Sequence, residues 1–192
     1  IPTFNELRES FRSTEGGGLD RNGRILHEYR KDDLARKLSW CALGDISNAF
    51  VKTLLISEDK NFYSHDGVDW KALAKATFDF LTFRGKRGAS TISMQLSSVL
   101  KNEGKWKGKK SVFRKIEQIR LAKEMENSWK KNEILEAYVN LIPFRGELVG
   151  ITATSKGLFG KYPHGLNEIE SILLVALIRS PNSELEKLEK RA

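Results

Sequence analysis

The chain has one cysteine, Cys41, in 192 residues. A single thiol excludes an internal disulfide and a cysteine metal cluster. It is read here as a small buried hydrophobe. No run of about 18 apolar residues occurs, so this chain does not cross a bilayer as a helix by itself. The opening Ile1-Pro2-Thr3-Phe4 lacks the basic and apolar regions of a signal peptide, and there is no initiator Met, which suggests a piece of a longer chain. The G-x-x-x-x-G-K-[ST] order of a P-loop is missing. No internal repeat or low-complexity tract is present. What the chain does have is positive charge: 33 Lys and Arg against 25 Asp and Glu, a net +8. That balance favours anionic partners, whether nucleic acid, anionic lipid or phosphorylated substrate, and does not choose among them. The charge permits nucleic acid, but no recognition motif for it occurs. A composition of 40% hydrophobic and 30% charged residues is that of a globular domain with a real core.

The periodicity predicts a mainly helical fold. Residues 1–18 are polar, end in Gly16-Gly17-Gly18, and read as a flexible lead-in to a domain over 19–192. Asn22-Gly23 is a two-residue turn signal, so a short N-terminal β-hairpin is expected around Leu19 to Tyr29. Apolar positions at helical spacing mark helices over 47–57, 70–83 and 92–100, a helix capped by Ser111 running to about Glu126, and one over 132–142 that Pro143 stops. Asn167 with Glu170 three positions on forms a capping box for a last helix. Ile169, Ile172, Leu173, Ala176 and Leu177 form its main stripe, with other apolar residues nearly all round.

Three stretches could carry chemistry. In Glu58-Asp59-Lys60-Asn61-Phe62-Tyr63-Ser64-His65-Asp66-Gly67, two acids, an aromatic and an imidazole fall within eight positions. A carboxylate partly desolvated by an aromatic wall is a competent general base near neutral pH. A solvated helix end with a capping His is the plainer alternative. Gly88-Ala89-Ser90-Thr91-Ile92-Ser93-Met94-Gln95 could cradle phosphate oxygens at a helix start, or could be an ordinary Ser/Thr cap. The third is basic: Lys101, Lys105, Lys107, Lys109, Lys110, Arg114 and Lys115 against the single acid Glu103. It suits a pyrophosphate or an anionic membrane surface, or is a solvated loop. Trp106 within it, and Phe78, Phe80, Leu81 and Phe83 beside Arg84, Lys86 and Arg87, suit seating at a membrane interface.

In this order the pieces resemble the family 51 glycosyltransferases, which include the N-terminal domains of class A penicillin-binding proteins and the monofunctional transglycosylases. The motif E-D-x-x-F-x-x-H-x-G is met by Glu58, Asp59, Phe62, His65 and Gly67. The motif G-x-S-T-I-x-x-Q is met by Gly88, Ser90, Thr91, Ile92 and Gln95. Lys131, Glu133, Ile134, Leu135, Glu136, Tyr138 and Asn140 resemble a further motif, and Gly150, Ala153, Phe159, Gly160, Lys161, Leu166 and Glu170 another. Segments 140–148 and 178–182 look most like the C-type subgroup of class A penicillin-binding proteins.

The resemblance implies a lysozyme-like helical fold with a smaller membrane-associated jaw, over about 68–115. It implies lipid II and the growing glycan strand as substrates, a β-1,4 bond formed with inversion, and undecaprenyl pyrophosphate as leaving group. Glu58 would be the general base. Asp59, Phe62, His65, Ser90, Thr91, Gln95, Lys110, Arg114 and Lys115 would bind substrate. It also implies a place on the outer face of the cytoplasmic membrane, a membrane helix outside this chain, and a following transpeptidase domain. No organic cofactor is expected. Divalent-ion dependence (Mg or Mn) is common in the family. Asp59 and Glu58 could help bind such an ion, but no ligand set with diagnostic spacing occurs.

Two departures stand out. Where the resembling motif R-K-x-x-E has its second carboxylate, ungapped counting from Arg114 reaches Gln118, and Glu117 is one residue early, about 100° round a helix. Ser98 stands where a cation is usual. Three functions therefore compete: a polymerase using Glu58, a weakly active or inactive module that binds lipid II or the membrane, and a lysozyme-type hydrolase using Glu58 and Glu117.

Overall fold

The computed structural model describes residues 1–22, 25–82, 88, 90–101, 112–179 and 181. Eight helices are found among them: α1 (Phe4–Ser10), α2 (Asn48–Glu58), α3 (Trp70–Leu81), α4 (Ile92–Lys101), α5 (Val112–Ser128), α6 (Lys131–Leu141), α7 (Ile151–Phe159) and α8 (Glu168–Arg179). Five short strands accompany them: β1 (Glu15–Leu19), β2 (Ile25–Arg30), β3 (Arg36–Lys37), β4 (Pro143–Arg145) and β5 (Leu148–Val149). The mainly helical class and the helices expected from periodicity are present. Among the described residues no helix is long and apolar enough to cross a membrane.

The chain divides into two compact units and passes between them within α1, α2 and α6. One comprises Ile1–Phe4 and Leu54–Tyr138, the other Asn5–Thr53 and Val139–Ala192. In the first, α4 packs on α5. Its core holds Val68, Met94 and Ala122, with Leu73 and Ile119 against them. Phe62, Ile92, Leu96, Met125, Ile134 and Tyr138 are fully buried as well. Trp129 anchors the chain start: its indole N–H donates to the Pro2 carbonyl at 3.1 Å, and Phe4 meets its ring edge-on.

In the second unit β1 and β2 form an antiparallel hairpin, and β3 runs parallel to β5, which pairs antiparallel with β4. The expected hairpin exists but reaches further back than its turn suggested; Gly23 itself lies outside the described residues. Residues 1–18, read as a flexible lead-in, contain α1 and all of β1 except Leu19. Two contacts explain this correction. The Thr14 N–H donates to the Lys37 carbonyl at 2.9 Å while its hydroxyl accepts the Lys37 N–H at 2.8 Å. Gly16 pairs with Tyr29, whose ring lies where a Cβ on Gly16 would come within 2.6 Å.

The capping box of α8 forms as expected. Glu170 N–H donates to the Asn167 side chain at 2.9 Å and Asn167 N–H donates to the Glu170 carboxylate at 3.0 Å. The buried face of α8 is set differently from the expected stripe. Ser171, Leu174, Val175 and Leu177 are buried, and Ile169 is 71% exposed. An almost uniformly apolar helix carries no periodic signal to say which side faces in. Helix α7 lies outside the sequence expectations altogether.

A buried amide closes this unit. Asn140 accepts the Cys41 N–H and donates to the Cys41 carbonyl, both at 2.8 Å. Cys41, the lone cysteine, is buried, and its thiol faces the Ala42 and Asp45 carbonyls at 3.7 Å. Asn140→Ala strands both backbone groups. It is expected to cost about 2–4 kcal/mol, on a scale of about 1–3 per buried unsatisfied group, measured by urea denaturation. A loss below about 0.5 kcal/mol, the range of an ordinary surface change, would contradict the clamp.

Candidate active site

Helix α2 delivers two adjacent carboxylates with different surroundings. Asp59 is 7% exposed. One of its oxygens accepts the Ile92 N–H at the start of α4 at 2.9 Å, where the helix dipole favours an anion. His65 Nε2 lies 3.0 and 3.1 Å from the two carboxylate oxygens. Gly67 N–H donates to His65 Nδ1 at 3.1 Å, so the neutral ring carries its proton on Nε2 and donates to Asp59. Asp59 and His65 thus hold the 59–67 turn against α4.

The rest of the first motif fits the same purpose. Thr91 caps α4, accepting the Met94 N–H at 3.2 Å and donating to the Gly67 carbonyl at 2.6 Å. Gly67 has φ +91°, and a Cβ there would stand 3.0 Å from the Ala122 backbone of α5. Only glycine allows both that angle and that approach. Phe62 is fully buried, edge-on to Tyr63 and His65. Lys131 Nζ sits 4.5 Å from the Phe62 ring centroid, donates to the His65 carbonyl and pairs with Glu126 at 2.7 Å. Glu126 in turn accepts from Ser93. Among the sequence-derived site residues, then, Asp59, Phe62, His65 and Thr91 form scaffold.

Glu58 differs from its neighbour. It is half-buried at the last position of α2, and its Oε2 accepts from Gln95 Nε2 at 3.0 Å. The Tyr138 hydroxyl donates to Gln95 Oε1 at 3.0 Å. Ser90 is next to a cation: Lys115 Nζ donates to its hydroxyl at 2.8 Å, and burial pushes the Lys115 ammonium below its ordinary value. Lys110, the other residues of 102–111, and Phe83, Arg84, Lys86 and Arg87 lie outside the described residues.

The two sequence departures touch. Gln118 Nε2 donates to Ser98 Oγ at 2.6 Å, and Ser98 Oγ donates to the Met94 carbonyl at 3.1 Å. They line a cavity of about 90 Å³ with Lys101, Arg114 and Glu117. Gln95 and Ser98 are three positions apart on α4, about 60° and 4.5 Å from one another. Gln118 therefore meets α4 one turn along from where Glu58 meets it. Glu117 is engaged elsewhere, in an ion pair with Lys101. That contact lowers its carboxyl below the ordinary range, with Arg120 and Arg114 adding to the effect. A general acid needs the opposite shift, so Glu117 is unsuited to the acid role in a lysozyme-type pair.

The divalent-ion expectation finds no ligand set. Among the described residues no three His, Cys, Asp or Glu side chains gather. The Asp59 carboxylate already serves Ile92 and His65.

Sequence spacing identified the motif residues but missed what Glu126 and Tyr138 do. Lys131 and Tyr138, seven apart on α6, share a helix face, and that was the available hint. For Glu126 no local signal exists. The contrast between the two carboxylates is testable by thermal and urea unfolding. Asp59→Ala is expected to cost about 2–4 kcal/mol, because it strands an imidazole and a helix N–H. Glu58→Gln should stay within about 0.5–1 kcal/mol. Equal costs would contradict the division.

Comparison with known proteins agrees with the motifs. The transglycosylase family model matches residues 22–192. Penicillin-binding protein 2D of Bacillus subtilis is 34% identical over 149 residues, covering 76% of this chain and 21% of that protein. Penicillin-binding protein 1A of Clostridium tetani is 37% identical over 146 residues, 72% of this chain and 17% of that protein. The biosynthetic peptidoglycan transglycosylase of Mannheimia succiniciproducens is 34% identical over 159 residues, 82% of this chain and 64% of that protein. The chain thus spans less than two thirds of the length of each of these three relatives. With the family model matched across nearly all of its length, and both catalytic-type motifs folded into one unit, the chain belongs to the transglycosylase family, the family 51 glycosyltransferases.

Proposed function

We propose that this domain polymerises lipid II into β-1,4 glycan strands, with Glu58 as general base. The observation that carries the proposal is the different treatment of the two adjacent acids. Asp59 is buried and bonded to the Ile92 N–H and His65, while Glu58 stands at a half-buried position where Gln95 donates to its Oε2. A base needs a carboxylate held in a fixed place within reach of the acceptor.

Glu58 takes the proton of the acceptor 4-hydroxyl as that oxygen attacks the donor anomeric carbon. Attack comes from the face opposite the pyrophosphate, so the centre inverts. The bond from that carbon to the pyrophosphate oxygen breaks, and its electron pair leaves with undecaprenyl pyrophosphate. Lys115, held on Ser90, and Arg114 supply positive charge for the departing group. Gln118 offers a neutral hydrogen bond there. Lys110 is a further candidate cation by sequence.

The jaw over about 68–115 is the proposed membrane contact. Trp70 and Phe78 on α3 and Phe113 on α5, with Ile116 just past the jaw's boundary, are exposed large apolar residues. Lys71, Lys75 and Arg120 stand on the same helices. Apolar and basic side chains together suit the headgroup boundary of an anionic bilayer. By the same reading the domain works on the outer face of the cytoplasmic membrane, anchored by a helix elsewhere in a longer protein. The names of the penicillin-binding relatives support a transpeptidase domain in that protein.

Purified domain with lipid II in detergent tests the reaction. Wild type is expected to make glycan chains, and Glu58→Gln to lose about 10²–10⁴-fold in rate, the usual worth of a general base. A wild type that makes no chains where a control polymerase does, or a Glu58→Gln variant as active as wild type, would refute it.

One observation favours a second reading, a module that binds lipid II with little turnover. The Gln118 to Ser98 contact is neutral where the resemblance implies a carboxylate and a cation. On that reading lipid II binds without product, and Gln118→Glu raises polymerisation by tenfold or more, equivalent to about 1.4 kcal/mol of barrier. Robust wild-type turnover that Gln118→Glu leaves within about twofold would dismiss it.

A further inference from the structure

We propose that Tyr138 is a positioning residue for the reaction, acting on Glu58 through Gln95; the inference rests on the reading of Glu58 as the base. Tyr138 is the largest of the fully buried side chains, with no surface to offer a substrate. Its one polar atom reaches Gln95 Oε1 at 3.0 Å. An amide oxygen only accepts, so the phenol donates. The Glu58 carboxylate only accepts, so it takes the NH₂ end of the Gln95 carboxamide at 3.0 Å and leaves the oxygen end to Tyr138. The buried phenol then pins that oxygen in place, which holds the NH₂ group on Glu58.

The three residues come from three helices: Glu58 ends α2, Gln95 lies in α4 and Tyr138 in α6. Tyr138 is fixed by a buried neighbourhood, since Ile134, Leu135 and Ala137 on α6 are also fully buried. Gln95 has a long side chain with three rotatable bonds, and on its own would sample several placements. The phenol removes that freedom. The base is thereby referenced to the core of its unit instead of to the end of its own helix, where terminal residues fray.

A positioning role through one intermediary predicts masking. Tyr138→Phe keeps the ring volume and removes only the donor. It should lower kcat for lipid II polymerisation about tenfold and leave KM within about twofold, as the loss of one hydrogen bond that orders the base. Gln95→Leu should cost roughly 100-fold. The double variant should match Gln95→Leu within about twofold, whereas independent effects would multiply to about 1000-fold. Multiplying effects, or a Tyr138→Phe change confined to KM, would overturn the proposal.

A second measurement does not depend on turnover. The side-chain ¹⁵N amide resonances of Gln95, assigned by their loss in Gln95→Leu, should move in both Tyr138→Phe and Glu58→Gln. If Tyr138→Phe leaves them in place, Tyr138 does not orient Gln95 and the proposal falls, whether or not the wild type polymerises lipid II. If the wild type is inactive while these resonances move as expected, it is the polymerase reading that fails.

Discussion

The active unit depends on the Asp59 carboxylate at the first turn of α4. A charge that is 7% exposed would be costly alone. Here it is met by the Ile92 N–H, the favourable end of the helix dipole, and the His65 imidazole. The contact ties the end of α2 to the start of α4. Once that joint is made, Glu58 at the last position of α2 and Gln95 on α4 lie within hydrogen-bond reach. The 59–67 turn is then braced from its far side by Thr91 on the Gly67 carbonyl and by Lys131 on the His65 carbonyl. Most of the first and second motifs therefore build the platform on which one carboxylate is presented.

This division explains how two acids in sequence can have unrelated roles. Adjacent residues at a helix end point about 100° apart. One turns inward to meet the next helix; the other remains at a half-buried edge. Two neutral residues, Gln118 and Ser98, then meet one turn further along α4. They join α4 to α5 without charge, beside Arg114 and the Lys101–Glu117 pair. Glu117, the nearer acid by sequence, is spent on that ion pair. Positive charge beside this cavity thus comes from Arg114 and Lys101, and Gln118 contributes hydrogen bonding alone.

Local signals made much of this legible. The helical spacing of Phe50, Val51, Leu54 and Leu55 places α2, the Asn167/Glu170 pair marks the start of α8, and Asn22-Gly23 marks a hairpin. What stayed hidden was non-local. Asn140 and Cys41 are 99 positions apart, and the pairing of Arg36 with Leu148 joins similarly distant segments. No periodicity reports such contacts. Residues 1–18 looked unstructured because glycines carry no pattern, yet Gly16 pairs with Tyr29, whose ring lies over it. For the site, the residue types were readable and their assignments were not. His65 and Phe62 have the chemistry of ligand contacts. Only the geometry assigns one to Asp59 and the other to the core.

The account stands on Glu58 as the carboxylate presented to the acceptor while Asp59 stays within the fold. A crystal structure of the domain with a non-hydrolysable lipid II analogue and an acceptor saccharide tests that most directly. The account predicts a Glu58 oxygen within about 3.2 Å of the acceptor 4-hydroxyl, or one water away, with Asp59 still on the Ile92 N–H. An acceptor hydroxyl seated on Asp59, or one with Glu58 turned away from it, would contradict the account.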